Sequence, residues 1–463
     1  GGLNLLTRYE YDENGNQTVL HDAKGQTVTS DFDALNRLKT KSYTFAEGDP
    51  YRPWRHTTSM EYVYDANGNL REITEFVASG SDPPEPFVTA REYDDFDRLS
   101  SESSPLPDGG TCLVGYTYWR NGARKTVTDP ANQVTSYTYD GQNRLETVTT
   151  AGGLTAYTYW PDDLLKTVTY PNGVVATHGY DRADRLLSIT NTRQGATVSS
   201  HAYTYDEAGT RLSQVEVNGG VSETTTYTYD NLSRLKTVTY PADESFPAGR
   251  VVTYGYDAVG NRTAETVRKP HGALLAQKQG VFDNVNRLTA LDDAVDPAQS
   301  ITFGYDANGN QTRKTAGGTV TDYRYDVRDR LVEVAQGESI LSRFQYDGDG
   351  QRIARWDANG TYVTTTGPSG QPMSEYGLGG WKRDSIYLGS QLLATVRPAV
   401  ATTLTLENVV GTWWILGEDQ VWRACSIASE GGNNLLITNE YSEETHGTFD
   451  EQSRTITAGP EWG

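Results

Sequence analysis

Cysteine is almost absent from this 463-residue sequence, with Cys112 and Cys425 as its two examples, 313 positions apart. No disulfide framework and no C-x-x-C metal motif can be built from that pair, and two unpaired thiols is the reading taken here. No apolar run reaches the roughly 18 residues that a membrane-spanning helix needs, which excludes a transmembrane helix. Positive charge is short as well: 61 acidic residues against 40 lysines and arginines leave a net charge of −21, with no basic cluster anywhere along the chain. Phosphate backbones and anionic lipid surfaces are repelled by such a chain, so nucleic acid is excluded as a partner class.

Catalytic signatures are missing too. No G-x-x-x-x-G-K-[ST] or G-x-G-x-x-G follows a strand and opens a helix, no G-x-S-x-G is present, and helix-period stretches are nearly absent. The six histidines, His21, His56, His178, His201, His271 and His446, show no metal-ligand spacing and are read as surface or loop residues. There is no initiator methionine and no charged-then-apolar leader, so the opening "GGLNLLTRYEYD" reads as the middle of a longer, trimmed chain. An enzyme is the least supported class.

What is abundant is tyrosine, 30 residues, against a hydrophobic fraction of only 36%. Tyrosine must therefore supply much of the burial. It is placed regularly: "YTYDGQNRLETVT" at 137 recurs as "YTYDNLSRLKTVT" at 227, and weaker copies fill most of the chain. With the aromatic before the aspartate as marker, the copies stand at Tyr11, Phe32, Tyr64, Tyr93, Tyr118, Tyr139, Tyr159, Tyr180, Tyr205, Tyr229, Tyr256, Phe282, Tyr305, Tyr325 and Tyr346, fifteen in all and about 24 residues apart. Trp119 and Trp160 replace the aspartate in two of them. Odd copies tend to carry glycine four places after the marker ("YDENGNQ"), and even copies carry Asn, Asp or Ser followed by Arg-Leu ("YDGQNRL"), so the structural unit is expected to be a pair. The seventh copy, "YWPDDLL", departs from its slot.

Each copy reads as a β-hairpin. Tyr137 and Tyr139 stand at period two and leave one face of a strand, the aspartate caps the turn, and the residue four places on supplies positive φ. The Thr- and Val-rich "LETVTT" returns as the second strand. Leu145 and Val148 are three apart, which strict alternation would place on opposite faces, so a bulge is expected between them. Fifteen hairpins make about thirty strands, and at ~4.8 Å per strand a strip on the order of 140 Å long. Twist forces such a strip to curl, so the expectation is an all-β spiral or solenoid of antiparallel hairpins. The widest spacings, 32 and 29 residues, hold "FAEGDPYRPWRHTT" and "ASGSDPPEPF", read as projecting loops and binding-site candidates.

These motifs, with "YDANGNQTRKT" and the closing "FQYDGDGQRIARWDANGT" and "IYLGSQLLATV", resemble the YD repeats of RHS-repeat proteins, bacterial relatives of the teneurins, over residues 5 to 396. The resemblance implies a strip that spirals into a hollow shell, which encloses a C-terminal polypeptide cargo or presents adhesive surfaces. It implies an extracellular or bacterial cell-surface setting, and the open edge of a solenoid makes self-association through the end strands, or a filament, a further expectation. After "YLGSQLLATV" the family's H-x-D-H-L-G-S-x-R continuation and its Asp-Pro-x-Gly-Leu segment are missing, so cargo release by self-cleavage is not expected.

The repeat region is assigned to residues 1–397, and 398–463 to a small acidic domain of net charge −8 with four of the nine tryptophans. Its short apolar runs read as an antiparallel β meander. Trp413, Trp414 and Trp422 are the candidate ligand residues, for stacking on the apolar faces of cell-surface glycans; a cap or core role is favoured over that. The D-x-N-G and D-x-D-G turns, Asp65–Gly68, Asp306–Gly309, Asp347–Gly350 and Asp357–Gly360, resemble calcium loops but lack the bidentate glutamate, so plain turns are expected, with weak calcium binding between adjacent turns as the alternative. The resulting expectation is a non-enzymatic scaffold or encapsulating shell; the alternatives are an adhesion module for glycans or proteins, or the processed shell of a toxin.

Overall fold

A computed structural model describes residues 5–45, 55–79, 83–106, 110–130 and 132–366, and beyond these the strands between 372 and 458. Two compact units divide the chain, Gly1–Val396 and Arg397–Gly463. The first is a single 34-stranded sheet in which every strand pairs antiparallel with its sequence neighbours. The fifteen marked hairpins account for thirty of these strands; two further hairpins, Gly360–Gly377 and Gly380–Val396, extend the strip without the YD marker. A single short 3-10 turn, Pro297–Gln299, interrupts the β structure among the described residues. The second unit contains a five-stranded antiparallel sheet from Gly411 to Ala458.

The hairpins are built as their sequence requires. In the copy at 137, Asp140 N–H donates to the Arg144 carbonyl and Asn143 N–H to the Asp140 carbonyl, both at 2.9 Å. The Asp140 carboxylate accepts from the N–H groups of Gln142 and Arg144 at 2.9 Å and from Arg144 Nε at 2.8 Å. Those donors, led by the Arg144 side chain, hold its pKa below the usual carboxylate value. Asn143 adopts φ 64°, and the same place is held by glycine in odd copies, such as Gly68 at φ 95°.

Pairing of Tyr139 with Leu145, Thr138 with Thr147 and Tyr137 with Val148 leaves Glu146 as the extra residue. The expected bulge is therefore present, and it brings Tyr137, Leu145 and Val148, 7%, 4% and 2% exposed, into one core. The same register shift follows the marker in every copy, for instance at Tyr64, Tyr256 and Tyr346. Around the copy at 137 the core is continuous across hairpins, from Val114 and Tyr116 through Tyr157 to Ala176.

Two chemistries alternate at the junctions between hairpins, which explains the pairwise rhythm. From an even copy to the next odd one, the arginine spans the gap: Arg234 holds its own Asp230 at 2.7 Å, stacks 4.7 Å from the centre of the Tyr256 ring and donates to the Asp257 carbonyl at 3.0 Å. Arg185 and Arg287 repeat the arrangement. From an odd copy to the next even one, side-chain amides cross instead: Asn67 and Asn69 both donate to Asp97 Oδ1 at 2.8 Å. Marker tyrosines tie both junctions by donating their hydroxyl to a carbonyl of the preceding hairpin, as Tyr93 does to Leu70 at 2.9 Å and Tyr256 to Leu235 at 2.8 Å. In the copies without aspartate, Trp119 and Trp160 send their indole N–H to the carbonyls of Tyr137 and His178.

Candidate functional site at the seam of the coil

The strip returns upon itself. Turns after the markers Tyr305, Tyr325 and Tyr346 meet a turn and strands of the first hairpins, 255 to 305 residues earlier. At the start of this seam, Asn308 donates to Asp22 Oδ2 at 2.7 Å and to Asp329 at 3.1 Å, and Lys24 Nζ stands 3.5 Å from Asp306 and 3.4 Å from Asp329. The place between these adjacent acidic turns is thus filled by an ammonium and an amide of the chain itself.

Glu75 lies at the centre, on the strand Leu70–Ser79, and is 1% exposed. Its carboxylate accepts from Arg330 Nη2 at 2.5 Å and from the Thr57 hydroxyl, with Arg328 Nη1 3.3 Å away. Arg330 also holds its own Asp326 at 2.7 Å and stacks 5.0 Å from the centre of the Tyr346 ring. Burial works against the Arg330 charge, but Asp326 and Glu75 outweigh it and move its pKa upward. An ion pair buried this deeply is held together by its full set of hydrogen bonds.

Farther on, Arg91 bridges Glu102 at 2.7 Å and Asp349 across the seam, and Gly348 N–H donates to Thr89 Oγ1 at 3.1 Å. Gly348 approaches Ile73 so closely that a Cβ there would stand 2.6 Å from Ile73 Cγ2. Asp347, fully buried, accepts from Gln351 N–H through Oδ1 at 2.8 Å, while its Oδ2 has no partner. Burial pushes its pKa up to about 7, and Asp349 and Glu102 add to the rise. The last part is apolar: Leu106, Cys112 and Val114 face Ile353 and Val363. Cys112 is an unpaired thiol whose pKa burial pushes up to about 12, which makes it unreactive.

The sequence readings fare unequally against this geometry. In the calcium-like turns, Asp65 accepts from the N–H groups of Asn67 and Asn69 and from the Asn69 amide at 2.8 to 3.0 Å, and Asp306 is engaged in the same way by Asn310. Asp357 accepts from Asn359 N–H and pairs with Arg355 at 3.0 Å. Histidine placement needs correction: His21, His56, His178 and His201 are on strands, and His56, 5% exposed, packs edge-on against Phe45 with ring centres 4.8 Å apart. The stretches read as projecting loops are partly strand, Arg55–Tyr64, Leu70–Ser79 and Glu85–Tyr93, which carry Thr57, Glu75, Thr89 and Arg91 to the later turns; residues 46–54 and 80–82 lie outside the described residues.

Trp413 and Trp414 are adjacent on the strand Gly411–Leu416, and Trp422 pairs with Leu416, but their side chains lie outside the described residues. Glu75 was missed altogether. The available signal was a glutamate in the otherwise apolar alternation Ile73, Glu75, Val77.

Comparison with known proteins locates the repeats independently. A Teneurin YD-shell model matches residues 191–365 and an RHS Repeat model matches 118–155 and 159–197, together more than half of the chain. No curated protein sequence matches. Among solved structures, the crystal structure of TcdB2-TccC3-TEV is 17% identical over 96% of this chain and 22% of its own, with a TM-score of 0.62. The Photorhabdus luminescens Tc holotoxin pore is 16% identical over 98% of this chain and 24% of its own, with a TM-score of 0.62. A TcdB2-TccC3 crystal structure without the hypervariable C-terminal region gives 16%, 97%, 23% and 0.62 in the same order. The chain spans about a quarter of these proteins, and at such identity the likeness is one of fold.

Proposed function

The chain belongs to the YD/RHS-repeat proteins, and from that premise we propose that it is a non-enzymatic wall segment of an extracellular protein shell whose inside holds a polypeptide. The observation that carries this reading is the seam: later hairpins dock edgewise on earlier ones through Arg330, Glu75, Arg91 and Asp349, so the strip stacks coil upon coil and makes a wall. About twenty-two strands separate the strand of Glu75 from the turn of Arg330. At ~4.8 Å per strand the circuit is on the order of 100 Å and its diameter roughly 35 Å, wide enough for an unfolded or small folded polypeptide.

A structural role also suits the use of the charged groups. Carboxylates cap turns, as Asp140 does, or lock the seam, as Glu75 does. One of the similar structures is a Photorhabdus luminescens Tc holotoxin pore, and a toxin-related shell is the setting that supports an enclosed cargo for this chain. Electron cryomicroscopy of the purified protein tests the proposal. A one-sheet wall curving around a lumen is expected; a flat sheet, or a particle whose interior is filled by its own side chains, would count against it.

A further inference from the structure

Seven Asn-Gly pairs stand along the chain, beginning at Asn14, Asn67, Asn121, Asn172, Asn218, Asn308 and Asn359. In such a pair the main chain can rearrange without an enzyme, because glycine has no side chain to keep its nitrogen away from the preceding side-chain amide. All seven share the same following residue, so their surroundings alone distinguish them.

In five of the pairs the turn holds both reacting groups. The glycine N–H donates to the carbonyl three residues back, as Gly68 does to Asp65 and Gly309 to Asp306, each at 3.2 Å, and Gly15, Gly122 and Gly173 do the same. The asparagine side chains are engaged as well: Asn14 donates to Asn36, Asn67 to Asp97, Asn121 to Asn143 and Asn308 to Asp22 and Asp329, while Asn172 accepts from Val174 N–H. In the sixth pair Gly360 is a strand residue, set opposite Asp357 in the ladder.

Asn218 differs on each count. It ends the strand Arg211–Asn218, is exposed, and has no side-chain hydrogen bond among the described residues. Gly219 and Gly220, at φ 55° and 84°, make the two-residue turn to Val221, which leaves the Gly219 N–H outside the ladder. A Cβ built on either glycine would meet nothing within 4 Å, so no neighbour holds this turn in place.

We propose that Asn218 is a site of spontaneous deamidation and isoaspartate formation. The Gly219 nitrogen attacks the side-chain carbonyl carbon of Asn218, gives up its proton and expels ammonia, which closes a cyclic imide. Water then opens the ring: addition at the former side-chain carbonyl gives aspartate, and addition at the main-chain carbonyl gives isoaspartate, which lengthens the main chain by a carbon atom. Asn308 is the converse case, since the same reaction there would set a third carboxylate beside Asp22 and Asp329, and its hydrogen bonds across the seam guard against it.

Peptide mass spectrometry of the full chain during incubation at neutral pH tests the assignment. Asn218 should convert at least about tenfold faster than any of the other six, the factor that an opening cost of about 1.4 kcal/mol imposes on the tied turns. In denaturant the seven rates should converge. Asn218→Gln should abolish the early conversion and, because this side chain is exposed and untied, keep the circular dichroism of the parent. Equal rates in the folded chain, fastest conversion at a tied pair, or a lead at Asn218 that persists undiminished in denaturant would each overturn the proposal.

Discussion

Asp347 departs from the repeat that produced it. In most turns the side chain of the residue four places on satisfies the second carboxylate oxygen, as Asn69 does for Asp65 and Arg144 for Asp140. At Asp347 that place belongs to Gln351, and Oδ2 stays unpartnered in a fully buried position. Asp349 and Glu102 face it with negative charge and are themselves held by Arg91, while Arg330 reaches only its backbone carbonyl. Its folded pKa, about 7, lies above the ordinary 3.8, so the folded protein binds a proton that the unfolded chain has released. The stability this group contributes is therefore complete below about pH 4 and declines as pH rises to 7. Turn aspartates such as Asp140 have lowered pKa values and act in the opposite sense below the ordinary carboxylate value, and His178, whose pKa burial lowers, acts in the opposite sense within the window itself, so it is the comparison with a variant at position 347 that isolates Asp347. The melting temperature of the parent should lose ground to that of Asp347→Asn as pH rises across that window; an equal slope in both proteins would refute the assignment.

At the scale of the hairpin, most of the architecture is legible in one copy of the sequence. Marker tyrosine, capping aspartate, left-handed fourth residue and the three-residue step from Leu145 to Val148 each specify a local feature, and the bulge at Glu146 reconciles them. The pairwise rhythm was legible as a pattern, and its cause required the structure, because Arg234 acts on Tyr256 of the neighbouring copy. Seam residues were not legible: Glu75 and Arg330 are 255 positions apart, and no local period connects them. Two glycines at equivalent places separate hairpin from seam. Gly141, two residues after Tyr139, has open space around it, whereas Gly348, two after Tyr346, abuts Ile73. Gly141→Ala should change stability by less than about 0.5 kcal/mol. Gly348→Ala should cost about 1–3 kcal/mol, because Ile73 is a buried, branched side chain that cannot retreat. Hydrogen exchange should show the loss in the hairpins around Asp326 and Asp347 and on the strand Leu70–Ser79, with distant hairpins unaffected.

For the repeat unit as a whole, the account rests on the strip meeting itself. Each hairpin contacts its sequence neighbours by backbone pairing, an arrangement that alone would permit an open ribbon. The seam adds buried charge pairs and close backbone approach across more than 250 residues of sequence. Curling of a strip this long was expected from twist, but the circuit length was not, since it depends on small rotations summed over about twenty-two strands. Zero-length carbodiimide coupling of the monomer fraction, followed by peptide mass spectrometry, tests the closure most directly, because Lys24 stands within 3.5 Å of both Asp306 and Asp329. The coil predicts a Lys24 amide to Asp306 or Asp329; coupling of Lys24 only to carboxylates near it in sequence would contradict the coil.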